Sequence, residues 1–244
     1  MALSAEEQYL AESCYGYGRW DADYYFIGQE QGMGNDGYEK ETKTRHEACV
    51  ELQDEGLCDC YKFHKEIGVN CWHEVISRTG RVKPQGTWKY LIVILMAFKR
   101  DQDALSNLDC RAKYQETRFG MADPKLGETC VIELAGLSSK DLKSSRERNN
   151  KRPDEDQELL REILARRVKK ISAKKQNPKF VVMYGFSEEN KKYWATIAGT
   201  DVRFGVPKKV GHTVFLADRH PLYTGYDYWI QMGENMRTEF ERND

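Results

Sequence analysis

The chain has 244 residues, 40 % of them hydrophobic, which is enough for one sizeable core and gives no sign of a linker between two. Its 38 Lys and Arg almost cancel its 39 Asp and Glu, leaving a formal net charge of -1; the molecule is not a polycation, and nucleic-acid binding has to come from a local basic face. No apolar run approaches the ~18 residues that cross a membrane, the acidic opening lacks the basic and apolar regions of a secretion signal, and an odd seven cysteines fit reduced thiols; the expectation is a cytoplasmic protein with no membrane partner.

Residues 4–14 read as a first helix. Asp23-Tyr24-Tyr25-Phe26-Ile27 then reads as a buried strand, because aromatic and β-branched residues run together. It runs into Gly28-Gln29-Glu30-Gln31-Gly32-Met33-Gly34, where glycine allows positive φ and close approach of backbone to a ligand. Residues 44–78 carry weak helical periodicity. Thr87 is the expected N-cap of an apolar helix from Trp88 to about Phe98. Cys130–Leu134 is a second short strand, and the polar stretch 137–153 reads as a mobile loop.

Pro153 and Asp154 start a helix whose Leu160, Ile163, Leu164, Val168 and Ile171 form one stripe. Its other face carries Arg161, Arg166, Arg167, Lys169 and Lys170. Phe180–Tyr184, ending at Gly185, is a third strand. Thr213–Ala217, followed by Asp218-Arg219-His220-Pro221, is a fourth, and a helix over about 226–240 closes the chain. Short apolar strands separated by helices specify an α/β fold: a single domain over 1–244, a three-layer α/β/α sandwich around a central, mostly parallel four-stranded sheet. Ligands bind such sheets at the carboxyl ends of the strands, which is where the polar turns fall.

The order of these pieces resembles the uracil-DNA glycosylase superfamily: a strand with a Gly-Gln-Glu turn, a strand ending in a polar residue, a strand ending in Gly, and a strand ending in His-Pro. The first motif of that family is commonly Gly-Gln-Asp-Pro-Tyr or Gly-Glu-x-Pro-Gly and stands here as Gly28-Gln29-Glu30-Gln31-Gly32. Its last, His-Pro-Ser followed by a wedging residue, stands as His220-Pro221-Leu222-Tyr223. Phe180–Gly185 with Lys191, Lys192 and Trp194 is similar to its penultimate strand and helix. Three departures mark a divergent branch: Gln31 for a proline, Leu222 for a serine, and Glu133 where many members place an asparagine.

The resemblance implies a base-excising hydrolase acting on single- or double-stranded DNA as a monomer, with no cofactor. Glu30 would hold the attacking water beside the sugar cation, and His220 would donate to the departing base oxygen. Gly28, Gln29, Gln31, Glu133 and Trp88 would bind the base. Pro221, Leu222, Tyr223, Arg146 and Arg148 would touch DNA, with Tyr223 wedging into the gap left by a flipped nucleotide. An ionised Glu133 only accepts hydrogen bonds, so it favours a base edge that donates and a substrate other than simple uracil.

Plainer readings stand beside these: Trp88 as core, Glu133 as a structural ion pair, and Arg146, Arg148, Lys151, Arg152 and the basic helix face as solvated surface. Cys58, Cys60, His64, Cys71 and His73 lack the Cys-x2-4-Cys pairs of structural zinc and read as core thiols, with no metal. Two rivals remain: a module of the same fold that binds nucleic acid or a nucleobase without cutting, and a hydrolase of free nucleosides or nucleotides.

Overall fold

The structure, a computed structural model, describes residues 2–29, 31–32, 37–68, 75–76, 81–82, 85–139, 142–185 and 187–242. Its strands are β1 (Gly16–Tyr17), β2 (Tyr24–Gly28), β3 (Gln31–Gly32), β4 (Leu57–Cys58), β5 (Val75–Ile76), β6 (Arg81–Val82), β7 (Thr129–Glu133), β8 (Ser138–Ser139), β9 (Phe180–Tyr184), β10 (Lys208–Val210) and β11 (Thr213–Asp218). Its α-helices are α1 (Ala5–Ser13), α2 (Tyr38–Leu52), α3 (Cys60–Glu66), α4 (Trp88–Lys99), α5 (Gln102–Ser106), α6 (Leu108–Thr117), α7 (Leu142–Asn150), α8 (Asp154–Lys174), α9 (Lys191–Ala198) and α10 (Tyr226–Glu241).

One sheet organises the molecule, in the order β10-β11-β9-β2-β7-β1-β4. The four strands expected from the sequence form its centre, β11-β9-β2-β7, and every pairing among them is parallel. They are buried on both faces, as apolar runs in a covered parallel sheet must be. The sheet has seven strands rather than four, because β1 and β4 extend it beyond β7 and β10 closes the other edge antiparallel to β11. These additions are two or three residues long, too short to show a period.

Alternation along the central strands sorts their side chains into two cores. Tyr24, Phe26, Val131, Phe180, Val182, Val214 and Leu216 point to the face covered by α4 and α10. Tyr25, Ile27, Cys130, Ile132, Val181, Met183 and Phe215 point to the face covered by α8 and α9. Helix α4 is apolar all round because it is enclosed: Leu91–Phe98 are at most 1 % exposed. At Gly233 a Cβ would lie 2.5 Å from the carbonyl oxygen of Ile94, so that glycine lets α10 and α4 touch backbone to backbone.

Several expectations are corrected. The stretch 44–78 is not one helix; α2 begins earlier, at Tyr38, and β4 and α3 follow. The loop expected over 137–153 contains β8 and α7, a polar helix that stops before Pro153. Thr87 makes no side-chain cap; Gln85 Oε1 accepts the Trp88 N–H instead. Helix α1 begins as expected, with Ser4 and Glu7 forming a capping box.

The largest correction concerns Arg167, assigned to a solvated basic face and in fact 0 % exposed. Its Nε donates to Leu134 O (2.8 Å), its Nη1 to Ala11 O (2.8 Å), and its Nη2 to Cys14 O (2.9 Å) and Glu133 O (2.5 Å). The guanidinium also lies 4.1 Å from the centroid of the Tyr15 ring. Arg152 is likewise not a free cation: it is buried in a two-pronged pair with Glu7. Elsewhere on α8, Arg166 meets Glu12 and Lys174 meets Glu55, so much of that basic face is matched within the chain.

Two measurements test this frame. Arg167→Met leaves four buried carbonyls without their donor and should lower the urea-unfolding free energy by at least about 3 kcal/mol. Arg167→Lys should recover only part of it, because an ammonium lacks the planar fork. His64 donates from Nδ1 to Cys60 O (2.7 Å), and burial pushes its pKa down from 6.5 to about 4. A depressed histidine stabilises the fold fully above its unfolded pKa and loses that contribution as pH falls toward the folded one. Stability should therefore drop between pH 6.5 and 4 with an extra slope of up to one proton, and His64→Gln should remove that slope.

Candidate functional site

The chain order of the central strands places a switch point between β2 and β9. After β2 the chain pairs β7 on one side, then crosses to build β9 and β11 on the other. Loops leaving β2 and β9 therefore diverge at their carboxyl ends, the position at which sheets of this type bind ligands. The loops meeting there include Gly28–Gln29, Gly185–Asn190 and Arg219–Tyr223.

Asn190, 3 % exposed, ties two of them together. Its Nδ2 donates to Gln29 Oε1 (3.1 Å) and to Gly185 O (2.8 Å), and its Oδ1 accepts from Ser187 N–H (2.7 Å). The Gln29 side chain is thus held by its oxygen, and among the described residues nothing accepts from its amide NH2. Gly185, not Gly28, is the glycine whose φ, +82°, requires its residue type to reverse the chain.

Gly28 serves a different purpose from the one expected. It lies in β2, and a Cβ there would come 2.5 Å from Cζ and Oη of Tyr184. The close approach is therefore by the Tyr184 ring. Tyr184 is 3 % exposed and neighbours the Glu133 carboxylate; burial first, and then that carboxylate, push its pKa well above the usual tyrosine value. Glu133, paired in register with Gly28 across β7 and β2, is itself 6 % exposed. Its carboxylate faces the interior and holds Tyr184.

On its other side the Tyr184 ring meets His220, with centroids 5.9 Å apart and planes at 77°. His220 Nδ1 accepts the N–H of Leu222 (3.4 Å), so the ring proton sits on Nε2, which is left as a donor. Burial lowers the His220 pKa, keeping the ring neutral at neutral pH. Pro221 is buried, whereas Leu222 and Tyr223 stand out at 53 % and 78 % exposure. The amino end of α4 reaches the same edge: a Cβ on Gly86 would be 3.6 Å from Leu222, while Phe98, at the far end, meets Tyr24 and Phe180 at the start of their strands.

Of the residues expected at the site, Gly28, Gln29, Glu133 and His220 converge on Tyr184 and Asn190. Glu30 lies outside the described residues, as do Cys71 and His73; Gln31 is in β3, which pairs with β8. Trp88 is corrected to core: 6 % exposed, it packs against Tyr17, His64 and Phe119 and offers no face to a base. Arg146 pairs with Glu189 at the surface, placing α7 beside the Gly185–Asn190 loop. Arg148 lies 3.9 Å over the Tyr38 ring. A groove of about 800 Å³ lined by Asp59, Tyr61, Lys62, Glu116, Met121 and Leu126 sits at the opposite end of the sheet, where Gly120 N–H bonds Thr129 at the start of β7.

Tyr184 and Asn190 are the site residues that sequence reasoning missed. The only signals were a tyrosine closing a buried strand and an asparagine before a helix. Compared with protein-family models, with curated proteins and with solved structures, the chain has no match.

Gly28→Ala should destabilise the fold by about 1–3 kcal/mol, because the Tyr184 ring must move. In a Tyr184→Leu background the same change should cost measurably less, a coupling that a double-mutant cycle of urea midpoints reads directly.

Proposed function

We propose that the chain is a DNA glycosylase-like hydrolase that releases a damaged or modified base, working at the carboxyl ends of β2 and β9. The observation that carries this reading is the approach of Gly28, the neighbour of Gln29, and of His220, far apart in sequence, to one buried tyrosine at the carboxyl edge of a parallel sheet.

Breaking an N-glycosidic bond puts positive charge on the sugar and negative charge on the leaving base. His220 Nε2–H supplies a neutral donor for the base, since Nδ1 already accepts from Leu222 and burial disfavours the imidazolium. A donor placed in this way is worth about 3–4 kcal/mol of barrier. Glu30 follows Gln29 directly and supplies the carboxylate that holds the water. The amide NH2 of Gln29 donates to a base carbonyl while Asn190 fixes its oxygen. Glu133 acts through Tyr184, whose ring it orients between Gly28 and His220. The exposed pair Leu222 and Tyr223 enters the space left by the extruded nucleotide, where stacking offsets part of a flipping cost of a few kcal/mol. DNA is bound as a monomer by local cations such as Arg146, Lys191 and Lys192, so binding weakens with salt.

A binding module without cleavage is the second reading, favoured by one observation: the Tyr184 ring fills the space over Gly28 that a ligand would need for close approach to that strand end.

Labelled oligonucleotides carrying uracil, hypoxanthine, xanthine or alkylated bases, treated with protein and then alkali, separate these readings. The enzyme gives strand breaks that fall by about 100–1,000-fold in His220→Ala and disappear in Glu30→Gln, with a rate that declines only below about pH 6.5 as His220 gains a proton. Binding without breaks assigns the module, and turnover of free nucleosides alone rejects DNA as substrate.

A further inference from the structure

Three buried thiols meet outside the candidate site. Cys14 caps the end of α1, Cys49 lies in α2 and Cys58 in β4, and their Sγ atoms all lie within 4.8 Å of one another. Their exposures are 8 %, 0 % and 0 %. Each is anchored through its own backbone: Cys14 O by Arg167, Cys49 O by the N–H of Gln53, and Cys58 O by the N–H of Gly18. The remaining buried thiols among the described residues, Cys60 and Cys130, do not join the group.

We propose that Cys14, Cys49 and Cys58 form a binding site for a single thiophilic d10 cation, Zn2+ or Cu+, that fastens α1 and α2 to the β4 edge of the sheet. An ion at the centre of a triangle with sides of at most 4.8 Å lies no more than about 2.8 Å from each sulfur. Zinc–thiolate bonds are about 2.3 Å, so the three side chains need to close in by about half an ångström. Soft thiolates select these ions over Mg2+ or Ca2+.

The charges fit as well. Hydrogen bonds from Cys49 and Cys58, followed by the charges of Arg167 and Arg45, hold the Cys14 thiol well below its ordinary pKa, while Cys49 and Cys58 are pushed up. A cation binds the three sulfurs as thiolates, forms three metal–sulfur bonds and displaces the thiol protons to solvent, with no change of oxidation state. Loading is therefore favoured at higher pH, and the nearby guanidiniums offset the net negative charge of the tris-thiolate complex. Because the cluster is buried, the ion enters during folding or through a local opening of α1 and α2.

The test uses the full reduced chain, stripped with chelator, refolded with or without Zn2+, Cu+ or Cd2+ and desalted. The expected result is one ion per chain by elemental analysis and thiolate-to-metal charge-transfer absorption with Cd2+ of the intensity of three thiolate ligands. Cys14→Ser, Cys49→Ser and Cys58→Ser should each lower the Cd2+ affinity by at least about 100-fold, whereas Cys110→Ser, at an exposed thiol, should leave it unchanged. Should the serine variants fail to fold, the one-ion stoichiometry and the three-thiolate Cd2+ absorption of the unaltered chain still decide. Retention of no ion, retention that survives Cys58→Ser, or an iron–sulfur absorption spectrum would overturn the assignment.

Discussion

Arg167 is a charge with no water around it, held by four carbonyl oxygens from two stretches of chain, 11–14 and 133–134, and by the face of Tyr15. Burying a guanidinium costs several kcal/mol unless its donors are satisfied, and here charge-assisted bonds to backbone offset that cost. Removing any one of those carbonyls would require moving a helix end or a strand end. The side chain, projecting from α8, therefore fixes where α1 stops, how the chain enters β1, and where β7 terminates. Burial lowers the Arg167 pKa, but a guanidinium starts so high that it stays charged throughout the range in which proteins fold.

Both functional proposals rest on segments that this one side chain holds. Glu133, whose carbonyl Arg167 binds, presents its carboxylate to Tyr184 on the far face of the sheet. Tyr184 then fills the hollow at Gly28 and meets His220. Cys14, whose carbonyl Arg167 also binds, brings its sulfur to Cys49 and Cys58. Strand alternation does the rest: a residue whose backbone faces one partner sends its side chain to another layer. The carboxyl edge of the sheet is consequently packed below, where Tyr184 and Asn190 are buried, and exposed above at Leu222 and Tyr223.

The central strands were readable because a parallel strand covered on both faces has to be an unbroken apolar run. Those over 24–28, 129–133, 180–184 and 213–218 announce themselves in that way. Gln29 and His220 were readable because polar residues immediately after such runs fall at the strand ends. The two- and three-residue strands β1, β4 and β10 carry no period and were invisible. The polar helix α7 looked like a loop because neither face shows an apolar stripe.

The sequence by itself determined the fold class, the four central strands, the apolar helix α4 and the polar turns at the strand ends, since local composition and period are properties of neighbouring residues. Only the tertiary structure decided that Arg167 is a core residue rather than a surface cation, that Trp88 packs inside, that Tyr184 explains Gly28, and that Cys14 meets Cys49 and Cys58. Each of those depends on contacts between residues tens of positions apart, and the same arginine or cysteine has opposite meanings in water and among carbonyls. That distinction is set by which segments meet, a quantity that no window of the chain contains.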